Sequence, residues 1–368
     1  MNTDNGIIIV TGAKGRIGDA IMRRFTGRFS KIVGFDRKSA DPPPPGCLYE
    51  PVEITSDDSV REGLKMIREH HGSHVAAVIH LAAYYSFSGG NSPKYEEITV
   101  RGTERLLRGL HEQQFQVEQF IFSSTMLVHK PAEPGQFITE DWPLEPTWPY
   151  PASKVKTEQV ILQERGDIPA VLLRIAGVYD DMCHSIPLSR QIQRIYEQQF
   201  TASFLSGESA HGQSFLHMDD LVDAIELAVE RCTQLPPEIA ILIGEPEVVS
   251  YDELQHTMSR LLRNKELETL NVPKPLAKVG AALMGVEALV GKAPFIKPWM
   301  IDHADEHYAL DITRARTLLE WQPKRTLRAT LPTMLTALKA DPLGWYRENE
   351  LEAPSWLQKD NKVGAHEN

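Results

Sequence analysis

At 368 residues, with 42% apolar and 24% charged residues, the chain has the make-up of one large or two smaller globular domains. A net charge of −11, with no basic cluster against it, excludes a nucleic-acid surface. The three cysteines, Cys47, Cys183 and Cys232, are scattered and form no Cys-x-x-Cys, which excludes a zinc ribbon and a disulfide framework and fits a reducing cytoplasm.

The first six residues lack the basic and apolar regions of a signal peptide. Ile7-Ile8-Ile9-Val10 then reads as a buried strand. Thr11-Gly12-Ala13-Lys14-Gly15-Arg16-Ile17-Gly18 follows and leads into a helix with Ile21, Met22 and Phe25 at helical spacing. Strand, glycine-rich turn and helix describe a pyrophosphate cradle. Glycine lets the backbone approach the phosphates, and the free N–H groups of the helix start face the anion. The spacing is Gly-x-x-Gly-x-x-Gly, not the commoner Gly-x-Gly-x-x-Gly.

A second apolar run over 31–35 ends at Asp36, eighteen residues after Gly18. A carboxylate there can accept from both hydroxyls of an adenine ribose and repels a 2′-phosphate, which favours NAD over NADP. Lys14, Arg16 and Arg37 pull the other way. Residues 41–46 form a stiff Pro-rich connector.

Further strands are expected over 75–81, 119–123 and 170–175, with helices over 56–70, 93–112 and 153–165. This βαβ alternation predicts an α/β fold with a doubly wound parallel sheet. His70, His71 and His74 cluster at a helix end expected to be exposed, and no metal site is expected. Tyr150-Pro151-Ala152-Ser153-Lys154 places Tyr150 and Lys154 one helical turn apart on the same side. An ammonium beside a phenol favours the phenolate and brings its proton within reach of catalysis.

Glycine loop and tyrosine motif together resemble an extended short-chain dehydrogenase/reductase of the NAD-dependent epimerase/dehydratase superfamily. Four further segments carry the resemblance: Val78-Ile79-His80-Leu81-Ala82-Ala83, Phe122-Ser123-Ser124-Thr125-Met126-Leu127-Val128, Leu173-Arg174-Ile175-Ala176-Gly177-Val178-Tyr179 and Phe215-Leu216-His217-Met218-Asp219-Asp220-Leu221-Val222. A C-terminal signature runs from Asp311 to Pro323. The resemblance implies a Rossmann core and a catalytic trio: Tyr150 exchanges a proton with the substrate, Lys154 lowers its pKa and holds the nicotinamide ribose, and Thr125 bonds the reacting oxygen. It implies cofactor contacts at Gly12, Gly15, Arg16, Ile17, Gly18, Asp36, Leu81, Ala82, Ala83 and Val178, with Glu53 and Ile54 near the adenine. It also implies a homodimer built on the helices over 93–112 and 153–165.

Several positions depart from the resemblance. Thr99 and Gly177 stand where relatives often carry Asn. Gln213 and Ser214 precede Phe215, where a diphosphate-binding Arg is common. Met126-Leu127 replaces the Asp-Glu pair of 4,6-dehydratases, which argues against water elimination. His129 replaces a frequent Tyr.

Beyond residue 176 the alternation loosens. Residues 1–176 read as the NAD-binding core, 177–340 as a smaller α/β substrate-binding region with part returning to the core, and 341–368 as a C-terminal extension. That extension is expected to dock its aromatics and to end in disorder. Helices are expected over 185–200 and 251–262 and a strand over 239–243. His184, His211 and His217 are candidate pocket or structural residues, and Trp142 and Trp148 are candidates to wall the site or to pack. Asp219 and Asp220 are expected to cap and tie a helix. Residues 276–290 read as a helix that buries most of its surface, with an apolar surface facing a hydrophobic substrate or a membrane as the alternative, and it is too short and interrupted to span a bilayer.

The expected function is NAD-dependent hydride transfer at a secondary alcohol or ketone of a small molecule, with a sugar or sugar nucleotide as the expected substrate. Dehydrogenase and epimerase outcomes fit the same trio. A hydrophobic alcohol, as in 3β-hydroxysteroid dehydrogenases, and a non-catalytic cofactor sensor are the competing readings.

Overall fold

The computed structural model describes residues 6–38, 41–86, 90–287 and 296–358. The helix end expected at 288–290 and the tail expected to be disordered at 359–368 lie outside the described residues.

The sheet strands are β1 (Ile7–Thr11), β2 (Lys31–Asp36), β3 (Leu48–Pro51), β4 (His74–His80), β5 (Gln116–Val117), β6 (Phe120–Thr125), β7 (Ala170–Ile175) and β8 (Glu238–Ile243). All pair in parallel, in the order β8-β7-β6-β4-β1-β2-β3, with the short β5 beside β4. Parallel strands covered on both faces read as unbroken apolar runs, and β1 is one. Ile8 and Val10 join the cluster under α1 (Arg16–Phe25) and α6 (Met218–Glu230). Ile7 and Ile9 join the opposite cluster, under α2 (Asp57–His71), α3 (Arg101–Glu112) and α4 (Pro149–Glu164).

The chain runs outward from β1 through β2 to β3, then returns to lay β4 on the other side of β1. The crevice between β1 and β4 is therefore a topological switch point, where ligands of open α/β sheets bind. β8 is the outer strand of this same sheet, paired in parallel with β7.

A separate apolar cluster joins α5 (Ile186–Tyr196), α7 (Tyr251–Arg263), the helix Leu327–Ala340 and the C-terminal aromatics. Trp345 and Tyr346 are buried, whereas Trp356 is 46% exposed, so only two of the three expected aromatics dock fully.

Three elements differ from the sequence expectation. The helix expected over 93–112 is two linked pieces, a π-helical segment Tyr95–Val100 and α3. The tyrosine helix begins at Pro149, because proline's fixed φ suits the first turn. The apolar helix Lys274–Glu287 leaves Leu276 (65%), Val279 (57%) and Leu283 (63%) exposed, so it does not bury most of its surface.

Candidate active site

The glycine loop leaves β1 with Gly12 at φ +69°, and a Cβ there would meet the Ala82 nitrogen at 3.0 Å. Gly18 is tighter still: a Cβ would lie 2.4 Å from the Gly12 carbonyl oxygen and 2.7 Å from the Ala13 Cα. That close approach seats α1 against the loop. Gly15 caps α1 without a side-chain bond, so the first-turn N–H groups have no capping acceptor. A helix start with no side-chain cap above a glycine-rich loop fits a dinucleotide pyrophosphate.

Asp36 closes β2, and its carboxylate accepts from the main-chain N–H of Lys14 and of Arg37, each at 2.8 Å. Loop and acidic residue are thus held as one unit. The Arg16 guanidinium reaches away from the loop and donates to the Glu348 carbonyl at 2.6 Å, tying in the C-terminal extension. The Glu53 carboxylate accepts from the Thr55 hydroxyl at 2.9 Å, and Ile54 packs under Gly102.

Between β1 and β4 runs a directed hydrogen-bond chain. The Ala82 N–H donates to the Thr11 hydroxyl at 3.1 Å, and that hydroxyl faces His80 Nδ1 at 2.6 Å. His80 Nε2 lies 2.8 Å from the Thr103 hydroxyl, which itself donates to the Thr99 carbonyl at 2.7 Å. This order assigns the His80 proton to Nε2. Burial, with the nearby Lys154 charge, pulls the imidazole down to about 3, so it is neutral at ordinary pH. The Thr99 hydroxyl in turn accepts from the Tyr84 N–H at 2.9 Å. Thr99, a departure in the sequence, therefore anchors the segment Leu81–Tyr84 that hangs over the switch point.

Thr125 ends β6 and caps the next short turn, accepting from the Leu127 N–H at 3.3 Å. Tyr150 and Lys154 both lie on α4. The Lys154 ammonium donates to the Ser123 carbonyl at 2.6 Å and sits 5.8 Å from the Tyr150 ring centroid. Val178 lies on the short strand Gly177–Tyr179, which pairs with Phe215–His217. The structure thus gathers the glycine loop, Asp36, the segment after β4, Thr125 and the Tyr–Lys pair at the carboxyl edge of the sheet.

The electrostatics differ from the expectation in one respect. Burial pushes the Tyr150 hydroxyl above its ordinary range, with the Tyr95 hydroxyl adding to the rise. Burial also brings Lys154 down to about 7, against the opposing pull of Glu158. Desolvation disfavours the charged form of both groups.

Two groupings were not legible from sequence. One is an aromatic run beside the tyrosine: Tyr85 to Tyr150 at 4.7 Å, Trp148 to Tyr150 at 5.4 Å and Trp148 to Trp299 at 5.5 Å between ring centroids. Trp148 was expected as a wall. Trp299 belongs to no motif, and only the fold brings it here. The other is a buried ionic cluster behind Thr125. Arg174 donates to both Glu158 oxygens at 2.8 and 3.2 Å, to the Glu140 carbonyl at 2.8 Å and to His129 Nε2 at 3.1 Å, and the Ser124 hydroxyl donates to Glu158.

The remaining candidates have structural partners. Asp220 accepts from the main-chain N–H of Lys324 and Arg325, and His217 caps α6. His211 bonds the Asp305 carbonyl, His184 pairs with Asp180, and Trp142 donates to the Lys130 carbonyl. Among the described residues no group of His, Cys, Asp or Glu is placed to hold a metal ion.

The model of the NAD dependent epimerase/dehydratase family matches residues 8–244. The chain belongs to that family. As a member of the NAD dependent epimerase/dehydratase family it is an NAD-dependent enzyme. It is similar to the UDP-glucose 4-epimerase of Streptomyces lividans, at 25% identity over 62% of this chain and 72% of that one. It is also similar to the dTDP-6-deoxy-L-talose 4-dehydrogenase (NAD(P)(+)) of Kitasatospora kifunensis, at 22% identity over 91% and 96%. Its fold matches the dTDP-glucose 4,6-dehydratase of Bacillus anthracis solved in complex with NAD, with a TM-score of 0.68 and 19% identity over 93% and 99% of the two chains.

Proposed function

We propose that the chain catalyses reversible hydride transfer at a secondary alcohol or ketone of a sugar nucleotide, with Tyr150, Lys154 and Thr125 as its catalytic residues. The observation that carries this reading is the placement of Tyr150 and Lys154 on α4 at the carboxyl edge of the sheet, beside the end of β6 that bears Thr125. The glycine loop through Gly18, with Asp36, Leu81, Ala82, Ala83 and Val178, holds the cofactor, and residues 177–340 supply most of the substrate side.

The hydride is accepted or returned by NAD when it is bound. Tyr150 gives or takes the proton of the reacting oxygen, and the Thr125 hydroxyl orients that oxygen by hydrogen bonding. Because burial opposes a phenolate, a positive charge close to Tyr150 is what makes its proton mobile, and Lys154 keeps such a charge there when protonated. The relatives named above act on UDP- and dTDP-linked sugars by their descriptions, which supports a sugar nucleotide here. The absence of an Asp-Glu pair after Thr125 favours oxidation or epimerisation over water loss.

We place the enzyme in the cytoplasm as a homodimer pairing α3 and α4 with their symmetry mates. No helix among the described residues is long and apolar enough to cross a membrane. Light scattering that gives a monomer at micromolar concentration overturns the dimer. For the activity, the deciding comparison is conversion of UDP-glucose and dTDP-linked sugars, followed both as NADH formation and as the epimerised sugar nucleotide, by the parent and by Tyr150→Phe. A loss of about 10²-fold or more with NAD binding retained is expected; turnover within tenfold of the parent sinks the assignment.

A further inference from the structure

The C-terminal helix Pro342–Glu348 is anchored at one end and makes directed contacts at the other. Trp345, Tyr346 and Leu351 are buried in the apolar cluster that holds α5 and α7. The Tyr346 hydroxyl donates to the Glu197 carboxylate at 2.8 Å, and the Asp341 carboxylate accepts from the Gly344 N–H at 2.9 Å. These contacts seat the extension without help from Glu348 and Asn349. Those two adjacent residues instead bond two different loops. The Glu348 carbonyl accepts from the Arg16 guanidinium at 2.6 Å. The Asn349 side-chain amide donates to the Met182 carbonyl at 2.9 Å. Arg16 belongs to the glycine motif, and Met182 to the turn after the strand Gly177–Tyr179, which carries Val178. That turn is tight. Asp180 and Cys183 exchange main-chain bonds at 2.9 and 3.3 Å, and Cys183 and His184 stand at φ +85° and +31°. Residues other than glycine persist at such angles only where their surroundings hold them. The Asn349 bond to Met182 is one such hold, and the Glu348 carboxylate lies 3.7 Å from His184 Nε2 on the same turn.

We propose that Asn349, together with the Glu348 main chain, is a positioning residue for the cofactor: the pair clasps the glycine loop to the turn after Val178, and the clasp slows release of the dinucleotide. The inference rests on the reading of the glycine loop and Val178 as cofactor contacts. A dinucleotide that touches both is confined by the clasp, because neither loop can move away from the other without breaking one of the two bonds.

The test reads cofactor release without turnover. The whole chain is loaded with NADH and mixed with excess NAD in a stopped-flow fluorimeter, and the decay of NADH fluorescence gives the dissociation rate. Asn349→Ala and Arg16→Met cut the clasp at its two ends, while Arg16→Lys keeps a donor for the Glu348 carbonyl. We expect each cut to speed dissociation by about two- to tenfold, the worth of one net hydrogen bond, and Arg16→Lys to stay within about twofold of the parent. Either cut opens the same clasp, so the double variant is expected to match the faster single one and not the product of the two. Urea unfolding of the same proteins reports the structural contribution separately. An Asn349→Ala protein that unfolds more easily but releases NADH at the parent rate overturns the proposal. Multiplicative effects in the double variant overturn it too, since Arg16 would then act on the cofactor independently of the extension. If Asn349→Ala does not fold, release at the parent rate from Arg16→Met has the same force. A parent that binds no NADH overturns the cofactor reading and the clasp together, whereas the other outcomes sink the clasp alone.

Discussion

The Thr11 hydroxyl lies 2.6 Å from Nδ1 of His80, and the two residues are direct partners in the β1–β4 pairing. The contact fixes the two strand ends that flank the switch point. It also supplies the acceptor for the Ala82 N–H at 3.1 Å, in the segment that passes over Gly12. Thr11→Val keeps the shape and removes the hydroxyl. It leaves the Ala82 N–H without that acceptor and His80 Nδ1 without a donor. We expect a loss of about 1–3 kcal/mol in urea unfolding, together with weaker NAD binding. Unchanged stability would show that the segment finds other partners.

Gly15 and Gly18 belong to one motif but carry different loads. At Gly18 a Cβ would strike backbone at 2.4 and 2.7 Å, and backbone cannot move without shifting α1. At Gly15 the nearest atom is the Gly12 carbonyl oxygen at 3.2 Å, and φ is −69°. Gly18→Ala should therefore abolish NAD binding in a fluorescence titration, while Gly15→Ala should retain it with a modest loss. Equal effects would mean that the two glycines serve phosphate access alike and that packing at Gly18 is unimportant.

The layout of the glycine loop and Asp36 was legible in the sequence because it is local. Strand, turn and helix around Gly12–Gly18 are set by neighbours in the chain, and Asp36 sits at a fixed step from them. Tyr150 and Lys154 were legible for the same reason, as two residues on one helix turn. The groups that meet across the fold were not. Glu158 and Arg174 lie on α4 and β7, sixteen residues apart, with nothing in their spacing to pair them. Trp299 reaches Trp148 only because the later region folds back against the sheet. The charge state of the Tyr–Lys pair was also hidden, because desolvation depends on what the whole fold places around a side chain. The helix Lys274–Glu287 misled for a related reason: apolar content cannot say whether neighbours exist to cover it.

Glu158 and Arg174 are both less than a tenth exposed and are joined by two hydrogen bonds. Removing one charge of such a pair strands the other in low dielectric, at a cost of about 3–5 kcal/mol. Glu158→Gln should lower unfolding stability by that order. It should also disturb catalysis, because Glu158 holds the Ser124 hydroxyl next to Thr125. A double replacement, Glu158→Leu with Arg174→Met, should recover much of the stability and not the turnover. Full recovery of kcat in the double variant would remove any link from this cluster to Thr125.

Lys154 gives the molecule a distinctive alkaline signature. Burial holds its folded pKa near 7, below the ordinary lysine value of 10.5. Between those limits the unfolded chain binds a proton that the folded chain has released, so stability rises with pH across that window. The contribution is fully present above about 10.5 and is lost as pH falls through about 7, with a slope of up to about 1.4 kcal/mol per pH unit. Lys154→Met removes the titrating group and should flatten this rise in denaturation curves taken from pH 7 to 10, while abolishing turnover. A parent protein whose stability is level over the same range would mean that Lys154 remains charged in the folded state. The Tyr150 phenol would then face a permanent ammonium at neutral pH.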